Sequence, residues 1–239
     1  KPMAPRQDSG ASLCYGKRHS REWPYENSAP QSCVITISAQ ALNKLQCCGL
    51  PPGVRALLLV QRVMPEAYLR SLHALIAREG SLSRLFWHQQ TRPQAEKGSW
   101  EEFLAWCNAG ITLLLWYETE IVGLCRGTTV VEGKSAEISG WYRRKLWRKV
   151  PIRLCTNALC QWCCETFGLQ ELWMKTIFLD ACLHAQHATG ATIVETFQDC
   201  ILYNDQLKSV FVLKTTPLRL VMSASALENT RGRRLGRLI

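Results

Sequence analysis

Read for the spacing of apolar and polar positions, the chain alternates between two periods. Residues 56–63 (ALLLVQRV) are a short apolar run of strand type. Pro65 then opens a helix, PEAYLRSLHALIAREG, with Tyr68, Leu69, Leu72, Leu75 and Ile76 on one face and Gly80 as its stop. Ser99 caps a second helix, SWEEFLAWCNAG, and Glu102 three residues on completes a capping box. Three strand-like runs follow, ITLLLWYE, EIVGLCRGTTVVE and SAEISGWY, joined by short polar turns as in an antiparallel meander. A helix over 153–167, a strand over 171–177 and a helix over 180–188 ending at Gly190 come next. Two last strands, TIVETFQDCIL and SVFVLKT, flank the hairpin signal YNDQ. That order predicts an α/β domain with a mixed sheet over 54–216.

Both ends lack such periodicity. Residues 1–53 read as an extended N-terminal arm broken by Pro2, Pro5, Pro24 and Pro30, with a short helix within 35–53 that ends at Gly49. Residues 217–239 read as an extended basic C-terminal arm, with Arg231, Arg233, Arg234 and Arg237 and no acid after Glu228. Such a tail is expected to leave the domain and meet a partner. The chain begins at Lys1 rather than Met, which reads as processed or incomplete, and residues 1–34 carry no signal-peptide apolar core. No apolar run reaches the ~18 residues that a membrane-spanning helix needs.

Charge sharpens the picture at one place. The net charge of +10 comes from 29 Lys and Arg against 19 acids. Arg143, Arg144, Lys145, Arg148, Lys149 and Arg153 crowd the turn between the third meander strand and the next helix, interleaved with Trp141, Tyr142 and Trp147. Cations mixed with aromatics suit RNA, where guanidinium groups meet phosphates and rings stack on bases; the competing reading is strand-face core aromatics beneath a solvated basic rim. Twelve cysteines, many inside apolar segments, read as buried free thiols in a reducing compartment. Cys160 and Cys163 are spaced for zinc but lack a second ligand pair, so no metal site is expected.

The element order, with VGLCRG, AEISGWY, the helix ending CCETFGL and the segment from Gly190 through YNDQLKSVFVL, resembles the GNAT superfamily of acyl-CoA-dependent N-acyltransferases. The likeness is strongest to the branch that acetylates ribosomal-protein N-termini. It implies a mixed sheet that splits between its fourth and fifth strands, flanked by helices, with acyl-CoA in the split. It also implies a pyrophosphate held by backbone N–H groups at the next helix's N-terminus. That cradle requires an Arg or Gln, two residues, Gly, one residue, then Gly or Ala. Those places fall on Trp147, Val150 and Ile152, with Pro151 between the last two. The family's asparagine after the fifth strand falls on Leu179, and its acidic tyrosine on Gln186, with His184 and His187 nearby. Glu137 matches the strand glutamate that serves as general base.

With the cofactor signature lost, the leading expectation is a non-catalytic GNAT-like subunit of a larger protein or RNA–protein assembly, taking no cofactor. A mitochondrial ribosome in the matrix fits the charge and the arms, and so does a phage particle. The alternative is a working acetyl-CoA-dependent N-acetyltransferase using Glu137 as base and His184 or His187 as acid. A nucleic-acid-binding module acting alone is the third reading.

Overall fold

The computed structural model describes Ala41, Lys44, Leu45 and residues 49–58, 66–86, 98–108 and 110–235. Within these residues a sheet of seven strands has the order β1-β2-β3-β4-β5-β7-β6. The strands are β1 (Val54–Leu58), β2 (Ile111–Tyr117), β3 (Glu120–Val131), β4 (Ser135–Tyr142), β5 (Glu171–Thr176), β6 (Thr192–Tyr203) and β7 (Gln206–Thr215). Every neighbouring pair is antiparallel except β4 and β5.

Helices cover both faces. On one lie α1 (Glu66–Arg78), the single turn α2 (Leu82–Leu85) and α3 (Trp100–Asn108), whose Leu69, Leu72, Ile76, Phe103 and Trp106 bury against Leu114, Leu124 and Trp141. On the other lie α4 (Ile152–Phe167), α5 (Leu179–Thr189) and α6 (Pro217–Leu235). Their Cys155, Leu159, Cys182 and Leu220 pack with Leu113, Ala136 and Ile138. A strand covered on both faces has little room for polar residues, which is why β2 begins ITLLL, with all five residues buried. Thr112, the exception in type, donates its hydroxyl to the Cys107 carbonyl.

The local signals hold their places. The Glu102 amide donates to Ser99 Oγ at 3.3 Å, and the Glu102 carboxylate accepts from the Ser99 and Gly98 amides at 3.2 and 2.7 Å. The hairpin from Tyr203 to Gln206 turns through Asn204 and Asp205 at φ of 51° and 57°, a left-handed pair of the kind that matches strand twist. Gly190 ends α5 at φ 65°, and a Cβ there would stand 2.6 Å from Ser223 Oγ, so α6 crosses where only glycine fits.

The expected C-terminal arm changes. Residues 217–235 form a helix rather than an extended arm. Its Leu220 is fully buried, and the Asn157 side-chain amide donates to the carbonyls of Ala188 and Leu220 at 2.8 and 2.9 Å, tying α4 to α5 and α6. Near the other end, Ala41 and Leu45 are buried, Leu45 in the main core, and the Trp162 indole donates to the Ala41 carbonyl at 2.9 Å. The domain thus takes in residues assigned to both arms; positions 1–40 lie outside the described residues. No helix among the described residues is long and apolar enough to cross a membrane.

Candidate functional site

The parallel pairing of β4 with β5 covers only Ser135–Glu137 against Glu171–Trp173. Both strands continue, to Tyr142 and Thr176, paired with β3 and β7 but no longer with each other. Two strands that leave one another expose their facing edges, and the gap is a cleft of about 680 Å³. Arg84, Arg144, Lys145, Trp147, Phe178 and Asp180 are among the residues that line it.

In its lining three hydrogen-bonding side chains meet. Tyr142 comes from the last position of β4, Thr156 from the first turns of α4 and His184 from the middle of α5, and all three line the cleft. Thr156 Oγ1 lies 2.8 Å from the Tyr142 hydroxyl, 2.9 Å from His184 Nε2 and 3.0 Å from the Ile152 carbonyl. Burial, reinforced by Arg153 and His187 and opposed by Asp180, brings the His184 pKa down from 6.5 to about 4, so its imidazole is neutral at pH 7. Burial likewise lifts Tyr142 well above the ordinary phenol range. Gly123 of VGLCRG makes room for this arrangement: a Cβ there would meet the Trp141 carbonyl at 2.3 Å and the Tyr142 ring at 2.7 Å.

The signature positions divide. Val150 and Ile152 are buried in the main core, not in the split, while Trp147 is 49% exposed on the cleft wall. The split is therefore open. Four of its backbone donors are spent, however. The amides of Trp147, Lys149, Val150 and Ile152 already bond to the carbonyls of Arg144, Leu146, Leu146 and Val150, and Pro151 has no N–H. These four amides and Pro151 are not available to a glycine-type cradle.

The basic turn also divides. Arg143 bonds to Glu79 at 2.6 Å and to Glu120 at 3.4 Å with its side chain only 15% exposed, which removes it from the expected nucleic-acid surface. Lys145 pairs with Glu120 at 2.6 Å but stays half-exposed. Arg144, Arg148, Lys149 and Arg153 are exposed. Of the interleaved aromatics, Trp141 is core and Tyr142 belongs to the cleft, so Trp147 alone of the three is open to stacking. Arg231, Arg233 and Arg234 fall on the last turns of α6, and Arg237 lies outside the described residues.

Glu137 sits at the closed end of the split, on the final paired rung, and its carboxylate accepts from Lys175 Nζ at 3.0 Å. His187 points outward and is exposed, apart from the cleft that His184 lines. Sequence reading missed four residues here: Thr156, Lys175, Arg84 and Asp180. Arg84 donates to both Asp180 oxygens at 2.8 and 2.9 Å, and its guanidinium lies 4.2 Å from the Phe178 ring centre. Burial opposes ionisation of Asp180, but Arg84 outweighs it and holds the carboxyl below its usual range. Arg126, the arginine of VGLCRG, lies 4.7 Å from the Trp106 ring centre on the face that carries Glu137. Burial brings it down to about 10, and its Nε has no hydrogen-bond partner among the described residues. A polar residue within an apolar helix turn, as Thr156 is, was the one available signal.

No family model matches the sequence, and no curated protein does. Solved structures do match. The spermidine N-acetyltransferase of Vibrio cholerae, in complex with CoA and spermine, superposes with TM-score 0.55 at 13% identity, over 72% of this chain and 99% of that one. A ribosomal L7/L12 alpha-N-protein acetyltransferase in complex with coenzyme A gives 0.54 at 13%, over 70% and 96%. A microcin C7 self-immunity acetyltransferase in complex with acetyl-CoA and AMP gives 0.50 at 16%, over 70% and 98%. The chain has the GNAT fold, as the sequence resemblance implied. The same complexes correct the expectation of no cofactor: neighbours of this fold carry coenzyme A or acetyl-CoA, which points to a CoA compound rather than to none.

Proposed function

We propose that this chain is an acyl-CoA-dependent N-acyltransferase in which cationic side chains replace the glycine-lined backbone cradle. The observation that carries the reading is the open β4–β5 split, edged by Arg144 and Lys145 and lined by Tyr142, Thr156 and His184. Arg144 and Lys145 would hold the phosphates, because guanidinium and ammonium groups reach a phosphate without the close backbone approach that a Cβ obstructs. Arg148, Lys149 and Arg153, exposed beside them, raise the local positive potential. When bound, acyl-CoA supplies an acyl thioester. Glu137 accepts hydrogen bonds at the closed end, where Lys175 fixes its carboxylate, and His184 stays a neutral ring among the cleft's polar groups.

The test is titration calorimetry with acetyl-CoA and with CoA, followed by thiol release in the presence of spermine or of peptides with a free α-amine. The expected result is micromolar binding that weakens with salt, and at least tenfold weaker binding in an Arg144→Ala, Lys145→Ala double variant. Absence of binding by the wild-type chain at millimolar ligand overturns the reading.

A second reading is favoured by the bonded amides of Trp147, Lys149, Val150 and Ile152 and by the Glu137–Lys175 pair: a GNAT-fold subunit of a larger assembly that turns nothing over. Its test is what the native chain co-purifies with, before and after nuclease, against thiol release by the same preparation.

A further inference from the structure

An acyl acceptor must bring an amine into the cleft, and the charges there decide what else that molecule can carry. The lining includes two acids, Glu79 and Asp180, and four cations, Arg84, Arg144, Lys145 and Lys175. Both acids are already bonded: Glu79 accepts from Arg143 at 2.6 Å, and Asp180 accepts from Arg84. The acids that hold the two lysines are bonded by that same contact, Glu120 to Lys145 at 2.6 Å and Glu137 to Lys175 at 3.0 Å. Among the described residues, none of these four carboxylates is left to receive a second ammonium group. A polyamine would give up its hydration there, find no partner and meet like charge.

Arg84 is the lining cation with donors to spare. A guanidinium carries five N–H groups in one plane. Nη2 of Arg84 donates to Asp180 Oδ1 and Oδ2 at 2.8 and 2.9 Å, and among the described residues Nε and Nη1 have no acceptor. The guanidinium carbon stands 4.2 Å from the centre of the Phe178 ring. An ion pair at one nitrogen and a ring against one face hold the plane still, so the remaining N–H groups point in fixed directions from the cleft lining. With Arg144 and Lys145 assigned to the donor's phosphates, Arg84 is the arginine left to the acceptor.

We infer that the acyl acceptor is a primary amine that also bears a carboxylate, and that Arg84 binds this carboxylate through its Nε and Nη1 N–H groups. The inference rests on the transferase reading above and names its substrate class. A carboxylate accepts charge-assisted hydrogen bonds from donors that are otherwise unused. The paired acids do the opposite work, since they give a competing cation nothing to bind. The two partners that fix Arg84 come from Phe178, which precedes α5, and from Asp180 in its first turn, 96 residues along the chain. The site therefore exists only when α2 and α5 are both in place.

The experiment uses the full chain and short peptide amides with a free α-amine, identical except for Asp, Asn or Lys at their second and third positions. Thiol release from acetyl-CoA should show kcat/KM at least about tenfold higher for the Asp peptide than for the Asn peptide, with the Lys peptide and spermine lower still. In Arg84→Gln the ratio of Asp to Asn peptide should fall to within about twofold of one; because it is a ratio within one protein, partial loss of folded chain does not change it. Equal use of the three peptides by the wild type, a preference for spermine, or an unchanged ratio in Arg84→Gln overturns the proposal. A second readout needs no turnover. Nitrogen-15 NMR of the guanidinium N–H resonances, with that of Arg84 identified by its loss in Arg84→Gln, should show a shift with the Asp peptide and none with the Asn peptide, with or without CoA. No shift in either condition overturns the carboxylate site. No thiol release from any amine would instead remove the transferase reading, and the Arg84 resonance then decides the site on its own.

Discussion

Acid should destabilise this fold through His184, and the size of the effect follows from its surroundings. In an unfolded chain the imidazole titrates near 6.5; burial, with Arg153 and His187, brings it to about 4 in the fold. Between those values the unfolded chain binds the extra proton, so stability rises with pH there. The contribution is fully present above about pH 6.5 and is lost as pH falls through 4. The whole interval corresponds to about 3 kcal/mol, and the step from pH 7 to pH 5 to about 2 kcal/mol. That is a large share of the roughly 5–15 kcal/mol by which domains are stable. The assay is urea unfolding followed by tryptophan fluorescence at pH 7, 6 and 5, for the wild type and His184→Gln. The variant loses the ring's packing and starts lower, so the comparison is of slopes. Wild type should lose about 2 kcal/mol more than the variant between pH 7 and pH 5. Parallel slopes would refute the claim that a neutral His184 is held inside the cleft.

Three further outcomes follow from contacts elsewhere. Gly123→Ala should cost about 1–3 kcal/mol in urea unfolding, because a methyl group 2.3 Å from the Trp141 carbonyl must part β3 from β4; it should also disturb the near-ultraviolet dichroism of Tyr142. Asn157→Ala leaves the buried carbonyls of Ala188 and Leu220 without their donor. It should cost about 2–4 kcal/mol and speed amide exchange in the first turns of α6, while unchanged exchange there would show that α6 docks by other means. Arg143→Ala should lower stability by about 1–2 kcal/mol, since it strands Glu79, whereas Arg148→Ala on the exposed side of the turn should stay within about 0.5 kcal/mol.

What the sequence disclosed, and what it withheld, separates by the range of the interactions. Ser99 and Glu102 form their capping box within four residues, and Asn204-Asp205 turn a hairpin by their own backbone preferences, so both were legible. The C-terminal helix was not, because its description as an arm rested on its arginines. Leu220 alone in its first turns is fully buried, while Leu218, Val221 and Met222 are exposed, so no apolar stripe marked it. The basic run misled in the same way: Arg143 and Arg144 are adjacent in sequence, yet one is neutralised by acids 64 and 23 residues away and the other edges the cleft. Pro151 told that one backbone donor was missing, but not that Trp147, Lys149, Val150 and Ile152 would spend theirs inside the turn. The split itself arises because β4 and β5 pair over three rungs and then part, a fact that belongs to neither strand. Tyr142, Thr156 and His184 acquire a joint chemistry only there. Each alone reads as a strand aromatic, a helix threonine or a surface histidine; the parted strands let the threonine hydroxyl meet the other two, and a substitution that closes the split by repairing the β4–β5 ladder should abolish that chemistry while leaving every one of the three residues in place.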